Sequence, residues 1–316
     1  MKRLTFVTAI VTLFFACSKK DTYTTQPPTD SGQSSDAQQP NEPVFEESVS
    51  ALASTPAPAD HIIFVWFENK YYTRIIGNTQ APYINSLISK ATLMTNMYGV
   101  THPSEPNYLA MFSGSTQGVT NDVCYTNKPF STPNLYTVLH KVSRRFAWYS
   151  EGLPKMGAIV CSYSYYYQKH NPTADFSNVK DSANKPLSMF NWLDTSSSNM
   201  KKLETVVCVS PNDQHSMHGT NNPSVGDLWL KSTFSKLIEW CRRHNSIFVI
   251  YYDESDNSSS NKIPVMLLGY HVKQNFKLST TYNHYSFTKY LAHAYNTDSA
   301  YNSNLKNAKG VTGFYQ

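Results

Sequence analysis

The stretch HIIFVWFEN, residues 61–69, decides how this chain folds. Its first seven residues form an unbroken apolar run, which is typical of a β-strand covered by other elements on both faces. Glu68 and Asn69 follow the run directly. A second apolar run, SIFVIYYDE at residues 246–254, also ends in polar side chains, here two acidic ones. Because the carboxyl ends of parallel strands meet at one edge of a sheet, we expect these polar residues to lie together.

Strand and helix patterns alternate along the chain after about residue 60. The alternation predicts an α/β fold, a three-layer α/β/α sandwich around a central sheet whose strands are mostly parallel. The predicted strands are 61–67, 91–98, 145–149, 205–209, 246–252 and 263–269, and the predicted helices are 82–90, 105–112, 133–143, 226–243 and 284–295.

The composition excludes several classes of protein. The 316 residues carry 27 Lys and Arg against 22 Asp and Glu, a formal net charge of +5, and only 16% of them are charged. A highly charged disordered chain, a coiled coil and a polytopic membrane protein are therefore excluded. Lys and Arg form no long basic block, so the sequence indicates no nucleic-acid partner.

The first 17 residues have the pattern of an export signal, with a cationic start and an apolar run too short to span a bilayer. The run ends in Ala16-Cys17, which resembles the lipobox of bacterial lipoproteins, where the Cys becomes the lipidated first residue. An ordinary signal peptide with an incidental Cys is the alternative. We expect an exported bacterial lipoprotein, held in the outer membrane by a lipid anchor on Cys17, with its body on the periplasmic or surface face.

Residues 18–60 are rich in Pro, Ser, Gln and Thr and poor in apolar side chains. This composition predicts a disordered tether that holds the folded body away from the membrane. The remaining residues, 61–316, are numerous enough for one core and are expected to form one folded domain.

Apart from Cys17, the chain has four cysteines, an even number that suggests two disulfides in an oxidising compartment. Pairing of sequence neighbours predicts the bonds Cys124–Cys161 and Cys208–Cys241, and buried free thiols are the alternative. The CxxC spacing of a zinc–thiolate site is absent.

The segment THPSEPNYLAMFSGST at 101–116 places Ser104 at the entry to a predicted helix. Free backbone N–H groups at a helix start favour anionic ligands and an ionised nucleophile, although a serine there is also a common N-cap. The carboxylates that follow the two apolar runs are hard oxygen ligands suited to a divalent metal ion. Helix capping or a solvated loop is the alternative for each of them taken singly.

The segment HPSEPNYLAMFSGST resembles the nucleophile motif of the phosphoesterase family that includes bacterial acid phosphatases and phospholipase C-type enzymes, within the alkaline-phosphatase superfamily. HIIFVWFENK resembles the first-strand motif of that family, and IFVIYYDESDN with IPVMLLGYHV resembles its Asp-Glu strand and the strand after it. Weaker matches are YSEGLP at 149–154, KHNP at 169–172, GDLWL at 226–230 and NHYS at 283–286. The ordered set covers nearly all of residues 61–295 and implies an alkaline-phosphatase-like fold. It also implies that residues 61–316 form a phosphoesterase catalytic domain.

The resemblance implies a metal-dependent phosphoesterase in which the Ser104 hydroxyl attacks phosphorus and forms a phosphoserine intermediate. The implied substrate is a phosphorylated small molecule or a phospholipid, and the implied cofactor is a divalent metal ion of unspecified identity and number. The implied metal ligands are Glu68, Asn69, Ser104, Asp253 and Glu254. The implied catalytic residues are Ser104, Asn107, His170, His218 and His284, with His102, Asp213 and His215 as further candidates for phosphate or second-metal contacts.

The chain departs from the family pattern at Ser216-Met217-His218, where the family usually has Asp-Met-His. Asp213 or His215 could supply the missing ligand, or a second metal could be absent. A non-catalytic surface lipoprotein that binds ligands on a degenerate phosphoesterase fold is therefore the alternative function. A sulfatase is not indicated. Sulfatases have the motif C/S-x-P-x-R, whereas the corresponding segment of this chain, SEPNY at 104–108, has Tyr in place of the Arg.

The tyrosine-rich segment SYSYYY at 162–167 is interpreted as loop packing. A rim that stacks a substrate base or sugar is the alternative.

Overall fold

The structure is a computed structural model, and it describes residues 58–256, 260–301 and 303–316. The expected signal segment 1–17 with Cys17, and the tether up to residue 57, lie outside the described residues. In the described part of the chain, no helix is both long enough and apolar enough to cross a membrane.

The strands are β1 His61–Phe67, β2 Thr92–Tyr98, β3 Phe146–Ser150, β4 Ser162–Tyr163, β5 Tyr166–Tyr167, β6 Asn184–Pro186, β7 Val206–Ser210, β8 Ser246–Tyr252, β9 Lys262–Gly269, β10 Phe276–Leu278 and β11 Tyr282–Asn283. The α-helices are α1 Tyr72–Ile75, α2 Pro82–Ser86, α3 Ser104–Ser113, α4 Leu135–Lys141, α5 Ser197–Met200, α6 Pro223–Cys241, α7 His284–Ala294 and α8 Ser303–Lys306. Short 3₁₀ turns occupy Ile88–Lys90, Gln168–His170, Pro172–Ala174, Asp181–Ala183, Leu187–Met189 and Asp298–Ala300.

A nine-stranded sheet forms the middle layer, in the order β10-β2-β9-β8-β1-β7-β3-β6, with β11 also paired to β2. The pairs of β9 with β2 and β8 are antiparallel, and the other pairs of this sheet are parallel. Strand β1 lies between β7 and β8, and six of its seven residues are buried. The carboxyl ends of β1, β7 and β8 therefore meet at the middle of one sheet edge.

Helices cover both faces of this sheet, as successive residues of β1 demonstrate. The Trp66 ring contacts the rings of Tyr108 in α3 and His284 in α7. The next side chain, Phe67, points to the other face and contacts Trp229 in α6. The α/β fold with three layers and a mostly parallel sheet, expected from the sequence, is confirmed.

Each predicted strand and helix corresponds to an observed one, and the larger differences in their bounds lie at helix ends. The structure adds short elements that were not predicted, namely α1, α5, α8, β4, β5, β6, β10 and β11. The predicted helix 82–90 divides at Leu87 into α2 and a 3₁₀ turn. The long helix begins at Pro223, three residues before its predicted start, because the Asn222 side chain accepts a hydrogen bond from Ser224 N and Pro223 fits the first turn.

One of the two predicted disulfides is present. Cys124 and Cys161 are bonded, but Cys208 and Cys241 are free, buried thiols, so the prediction of a bond between them is wrong. Cys208 in β7 contacts Trp66, on the sheet face that α3 and α7 cover, whereas Cys241 ends α6 on the opposite face. The sheet therefore separates the two sulfur atoms.

Candidate active site

Ser104 is the first residue of α3 and is almost fully buried. Its Oγ lies 3.1 Å from Glu68 Oε2, 3.1 Å from Glu254 Oε1 and 3.4 Å from Asn69 Oδ1. The helix has no side-chain cap, so the hydroxyl is directed at the carboxylates and the capping alternative for Ser104 is wrong. The residues expected to converge from two strand ends and one helix start are therefore in contact.

Asn69 connects the two acidic residues that follow β8. Its backbone N–H donates to Asp253 Oδ1 at 3.0 Å, and its side-chain amide donates to Glu254 Oε1 at 3.0 Å. Its φ of 45° lies in the left-handed region, which asparagine tolerates better than most residues. The backbone N–H groups of Glu68 and Asp253 donate to Ser216 O and Phe67 O, so the ends of β1 and β8 and the loop after β7 are joined at the site.

The three carboxyl groups of this site are in an environment that disfavours their ionised forms. Burial and the nearby charge of Asp253 raise the pKa of Glu68 well above its usual range and that of Glu254 to about 9. Burial likewise raises the pKa of Asp253. Like charges crowded in a dry site need a cation or protons to neutralise them.

The donor set fits a divalent cation. It offers carboxylate, amide and hydroxyl oxygens, which are the ligands that hard cations prefer. Asp253 Oδ2 is buried and has no hydrogen-bond partner in the described part of the chain. Among those residues no group of three or more His, Cys, Asp or Glu side chains is close enough to hold a metal ion by itself. Ser104 and Asn69 contact the Glu68 and Glu254 carboxylates and add a hydroxyl and an amide oxygen to the donor set.

Three histidines surround the carboxylates. His170 is buried, with Nε2 3.4 Å from Glu68 Oε2, and burial lowers its pKa well below the usual value. His218 is more accessible and pairs through Nδ1 with Asp213 Oδ1 at 2.9 Å, and its ring lies 6.3 Å from that of His170. His102 bonds through Nδ1 to Glu254 Oε2.

Two predicted catalytic residues have their polar atoms engaged by other groups of the protein. His284 contacts Tyr251 OH through Nδ1 and Asp253 O through Nε2, and burial lowers its pKa to about 4, so it is a neutral support for Asp253. The Asn107 amide donates to Thr101 O and Pro103 O. A phosphate contact by either residue would require one of these bonds to be exchanged.

The loop around Ser216, which departs from the family pattern, is stabilised by hydrogen bonds between its own residues. Ser216 is buried, and its Oγ donates to Asp213 O at 3.1 Å. Asp213 lies against His218, whereas His215 pairs with Glu151 and stacks on Trp229 in α6. The structure therefore brings Asp213 to the site histidines but directs His215 away from the carboxylate cluster.

Sequence reasoning missed two contacts of Glu68 and Asn69. Tyr108 OH donates to Glu68 Oε1, and the buried Lys70 ammonium donates to Asn69 O at 3.0 Å and Glu68 O at 3.4 Å. Tyr108 could have been found, because it follows Ser104 by four residues and so lies on the same helix face. No sequence pattern indicated that Lys70 turns back onto the carbonyl groups of its own neighbours.

Comparison with known proteins assigns the chain to a family. A profile of the Phosphoesterase family matches residues 64–298. The chain belongs to that family. It is 38% identical over 245 residues to the phosphatidylinositol-3-phosphatase of Mycobacterium tuberculosis, covering 77% of this chain and 80% of that protein. It is 30% identical over 238 residues to an acid phosphatase of Aspergillus fumigatus, covering 70% of this chain but only 52% of the fungal protein.

Solved structures agree on the fold. A protein of the alkaline phosphatase superfamily from Vibrio parahaemolyticus superposes with a TM-score of 0.54 at 12% identity, over 80% of this chain and 71% of that one. The PsFucS1 sulfatase from Pseudoalteromonas superposes with a TM-score of 0.52 at 10% identity, over 80% and 70% of the two chains. Family and relatives together make this phosphoesterase a hydrolase of phosphoric ester bonds, and its substrate is phosphorylated.

Proposed function

We propose that this phosphoesterase is an exported, metal-dependent phosphatase in which Ser104 is the nucleophile. The observation that carries the proposal is the position of the Ser104 hydroxyl, 3.1 Å from carboxylate oxygens of both Glu68 and Glu254 at the start of a helix. A hydroxyl in this position has bases for its proton on one side and backbone N–H groups for an anion on the other.

The proposed ligands of the cation are Glu68, Asn69, Ser104, Asp253 and Glu254. When bound, a divalent ion would supply Lewis-acid chemistry, neutralising the carboxylates and lowering the pKa of the Ser104 hydroxyl. Lys70 and His284 do not reach the donor oxygens, but they hold the backbone carbonyls of Asn69 and Asp253. These contacts keep the ligands oriented.

The proposed reaction has two displacements at phosphorus. In the first, the bond from Ser104 Oγ to phosphorus forms as the bond to the substrate alcohol breaks, and the serine proton moves to a neighbouring carboxylate. His218 is the acid for the departing alkoxide, because Asp213 occupies its Nδ1 and leaves Nε2 to face the substrate. In the second, water gives a proton to His218 and displaces Ser104 Oγ from phosphorus, the serine regains its proton from the carboxylate, and inorganic phosphate leaves.

The proposed substrates are phosphate monoesters of small molecules or phospholipids. The names of the mycobacterial and fungal relatives support a monoester, since each is a phosphatase. We further propose that the protein is a lipoprotein attached to the outer membrane through Cys17. Mass spectrometry of the membrane fraction tests the anchor, because Cys17→Ala should release the protein and remove the acyl mass.

The nucleophile is tested with Ser104→Ala, assayed on a chromogenic aryl phosphate. We expect turnover to fall by roughly 10³-fold or more while the melting temperature stays near that of the wild type. Ser113→Ala is the matched control, because Ser113 is a buried serine at the other end of α3 whose Oγ donates to Leu109 O and Ser115 O. Equal turnover by Ser104→Ala and wild type would refute the assignment. A wild type that binds phosphate esters saturably without hydrolysing them would favour the non-catalytic alternative.

A further inference from the structure

Lys169 precedes His170 in the 3₁₀ turn Gln168–His170, beside the carboxylate cluster. His170 Nε2 is buried, lies 3.4 Å from Glu68 Oε2 and makes no hydrogen bond within the described part of the chain. The Lys169 side chain is only 20% exposed, and its ammonium pairs with Asp122 Oδ2 at 2.8 Å. The turn therefore brings a lysine and a histidine with a free ring nitrogen to the edge of the site.

Asp122 connects Lys169 to the start of α3. Its Oδ2 accepts a hydrogen bond from Lys169 Nζ, and its Oδ1 accepts one from Glu105 N at 3.0 Å. Glu105 directly follows Ser104, so a single carboxylate separates the ammonium from the backbone next to the nucleophile. An ammonium has three N–H donors, and the bond to Asp122 uses one of them. The remaining donors can reach an anion at Ser104.

Two connections hold the loop of Asp122 against this turn. The Cys124–Cys161 disulfide begins two residues after Asp122 and joins its loop to the start of the β4–β5 hairpin. The buried Gln168 donates from N to Cys161 O at 3.0 Å and from Nε2 to Tyr125 O. The lysine and its partner are therefore held in place before a substrate binds, which lowers the entropic cost of binding.

The β4–β5 hairpin leads directly into the turn. Tyr166 is buried, and its hydroxyl accepts a hydrogen bond from Asn171 Nδ2 at 3.1 Å, so the interpretation of SYSYYY as loop packing is correct for this residue. The interpretation is wrong for the three exposed tyrosines of the segment, Tyr163, Tyr165 and Tyr167. Because Asn171 follows the turn directly, Tyr166 holds one end of the turn and Gln168 holds the other.

The surroundings of Lys169 favour its charged form. Burial alone would lower its pKa, but the hydrogen bond to Asp122 and the nearby charges of Glu68, Asp122 and Asp253 raise it above the usual value. Lys70 also lies close to the carboxylates, but its buried ammonium donates to backbone carbonyl oxygens. A phosphate dianion beside three carboxyl groups needs positive charge in addition to that of a metal ion. Lys169 is placed to supply it.

We propose that Lys169 contacts the phosphate of the substrate and selects phosphate monoesters over diesters. A monoester dianion has three non-bridging oxygens and two negative charges, whereas a diester has two such oxygens and one charge. The Lys169 ammonium meets the additional charged oxygen, and Asp122 holds the ammonium in position. This inference rests on the proposed function, and it adds the residue that sets the ester class.

The test is Lys169→Met, assayed on 4-nitrophenyl phosphate and on methyl 4-nitrophenyl phosphate. The two compounds share a leaving group and differ by one methyl group, which removes one negative charge. We expect kcat/KM for the monoester to fall roughly tenfold to hundredfold and inhibition by inorganic phosphate to weaken about tenfold, while the diester is almost unaffected. Lys169→Arg keeps the charge and should retain most of the monoester activity.

Lys185→Met is the matched control. The Lys185 side chain is also 20% exposed, and it pairs with the buried Glu204 at 2.6 Å, outside the site. The control variant should change kcat/KM for neither ester. Lys169→Gln replaces Lys169→Met if that variant does not fold.

Asp122 is tested as a positioning residue. Asp122→Asn keeps an oxygen for Glu105 N but removes the charge that holds Lys169, so kcat/KM for the monoester should fall severalfold and that for the diester should not change. In a Lys169→Met background, Asp122→Asn should not alter the ratio of the two rates any further. A further fall of that ratio in the double variant would overturn the positioning role.

Three results would overturn the inference. Lys169→Met could leave monoester turnover and phosphate inhibition unchanged, it could slow both esters equally, or Lys169→Arg could be as impaired as Lys169→Met. If the wild type does not cleave the diester, inhibition by inorganic phosphate is compared with inhibition by dimethyl phosphate. Equal weakening of both inhibitors by Lys169→Met would then reject the selectivity, and weakening of inorganic phosphate alone would support it.

If the wild type hydrolyses no ester, the proposed function fails, and Lys169 is tested alone by calorimetry with inorganic phosphate. Weaker binding by Lys169→Met than by the wild type and Lys185→Met would support the contact. Equal binding by all three proteins would reject it.

Discussion

Two groups of buried carboxyls flank the start of α3, and they differ in what surrounds them. Glu68, Asp253 and Glu254 form the group at the ends of β1 and β8, and Glu105 and Asp175 form the other. Burial raises the pKa values of both groups, to about 9 for Glu254 and about 8 for Glu105. By burial and pKa alone, either group would qualify as a functional site.

The contacts distinguish the two groups. Ser104 and Asn69 converge on the first group, and two accessible histidines stand beside it. In the second group both Asp175 carboxyl oxygens and Glu105 Oε2 have no hydrogen-bond partner among the described residues. A shifted pKa therefore marks a dry environment, whereas a nucleophile and several donors aimed at the same point mark chemistry.

The largest expected difference between the groups is in metal binding and turnover. Asp253→Asn should remove the bound metal ion and lower aryl phosphate turnover by roughly 10³-fold, since a charged ligand is replaced by a neutral one. Asp175→Asn, the matched change in the other group, should leave both unchanged. Elemental analysis with steady-state kinetics checks this, and chelation of the wild type should reproduce the Asp253→Asn result. Full activity in excess chelator, or metal loss in Asp175→Asn, would contradict the distinction.

A smaller effect is expected from Tyr108→Phe, which removes the hydroxyl that donates to Glu68. A hydrogen bond to a charged group contributes about 1.5–3 kcal/mol, so kcat/KM should fall roughly tenfold to hundredfold. Tyr149→Phe is the control, because Tyr149 is another buried tyrosine and donates to Glu204, outside the site. We expect Tyr149→Phe to lower the melting temperature without changing kcat/KM. Similar kinetics in both variants would show that the Tyr108 contact serves stability alone.

The smallest expected effect is on stability, and it concerns Asp175 in the second group. Burial, and then the charge of Glu105, raise the pKa of Asp175 well above its usual value, so the folded protein keeps a proton that the unfolded chain releases. The stability from this proton is complete below the unfolded pKa, near 3.9, and is lost as pH rises through the folded pKa. Asparagine cannot ionise, so Asp175→Asn should match the wild type near pH 4 and melt on the order of 2–4 °C higher at pH 8. A variant that melts lower at pH 8 would show that the carboxylate is ionised and paired.

The sequence predicted the fold well where one strong local signal was present. The apolar runs 61–67 and 246–252 coincide with β1 and β8, since strands buried on both faces show no polar interruption. Asp253 and Ser104 were found for the same reason, as polar groups directly at element ends. Contacts between side chains of different layers were harder to predict from the sequence. The predicted disulfide of Cys208 is wrong because the sheet lies between the two cysteines. The inward position of His284 depends on its contact with Tyr251, a residue of another element.

The central position of β1 has a consequence for how the site moves. Glu68 and Asn69 follow a strand that is hydrogen bonded on both sides, by β7 and β8, and the amide of Glu68 donates to Ser216 O in the loop after β7. Separating these residues requires the innermost rungs of the sheet to break, so local fraying cannot reach them. Amide hydrogens of residues 62–68 should therefore exchange with deuterium only through global unfolding, whereas those of the 162–167 hairpin exchange through smaller openings. The reactive end of the molecule is thus as durable as its core.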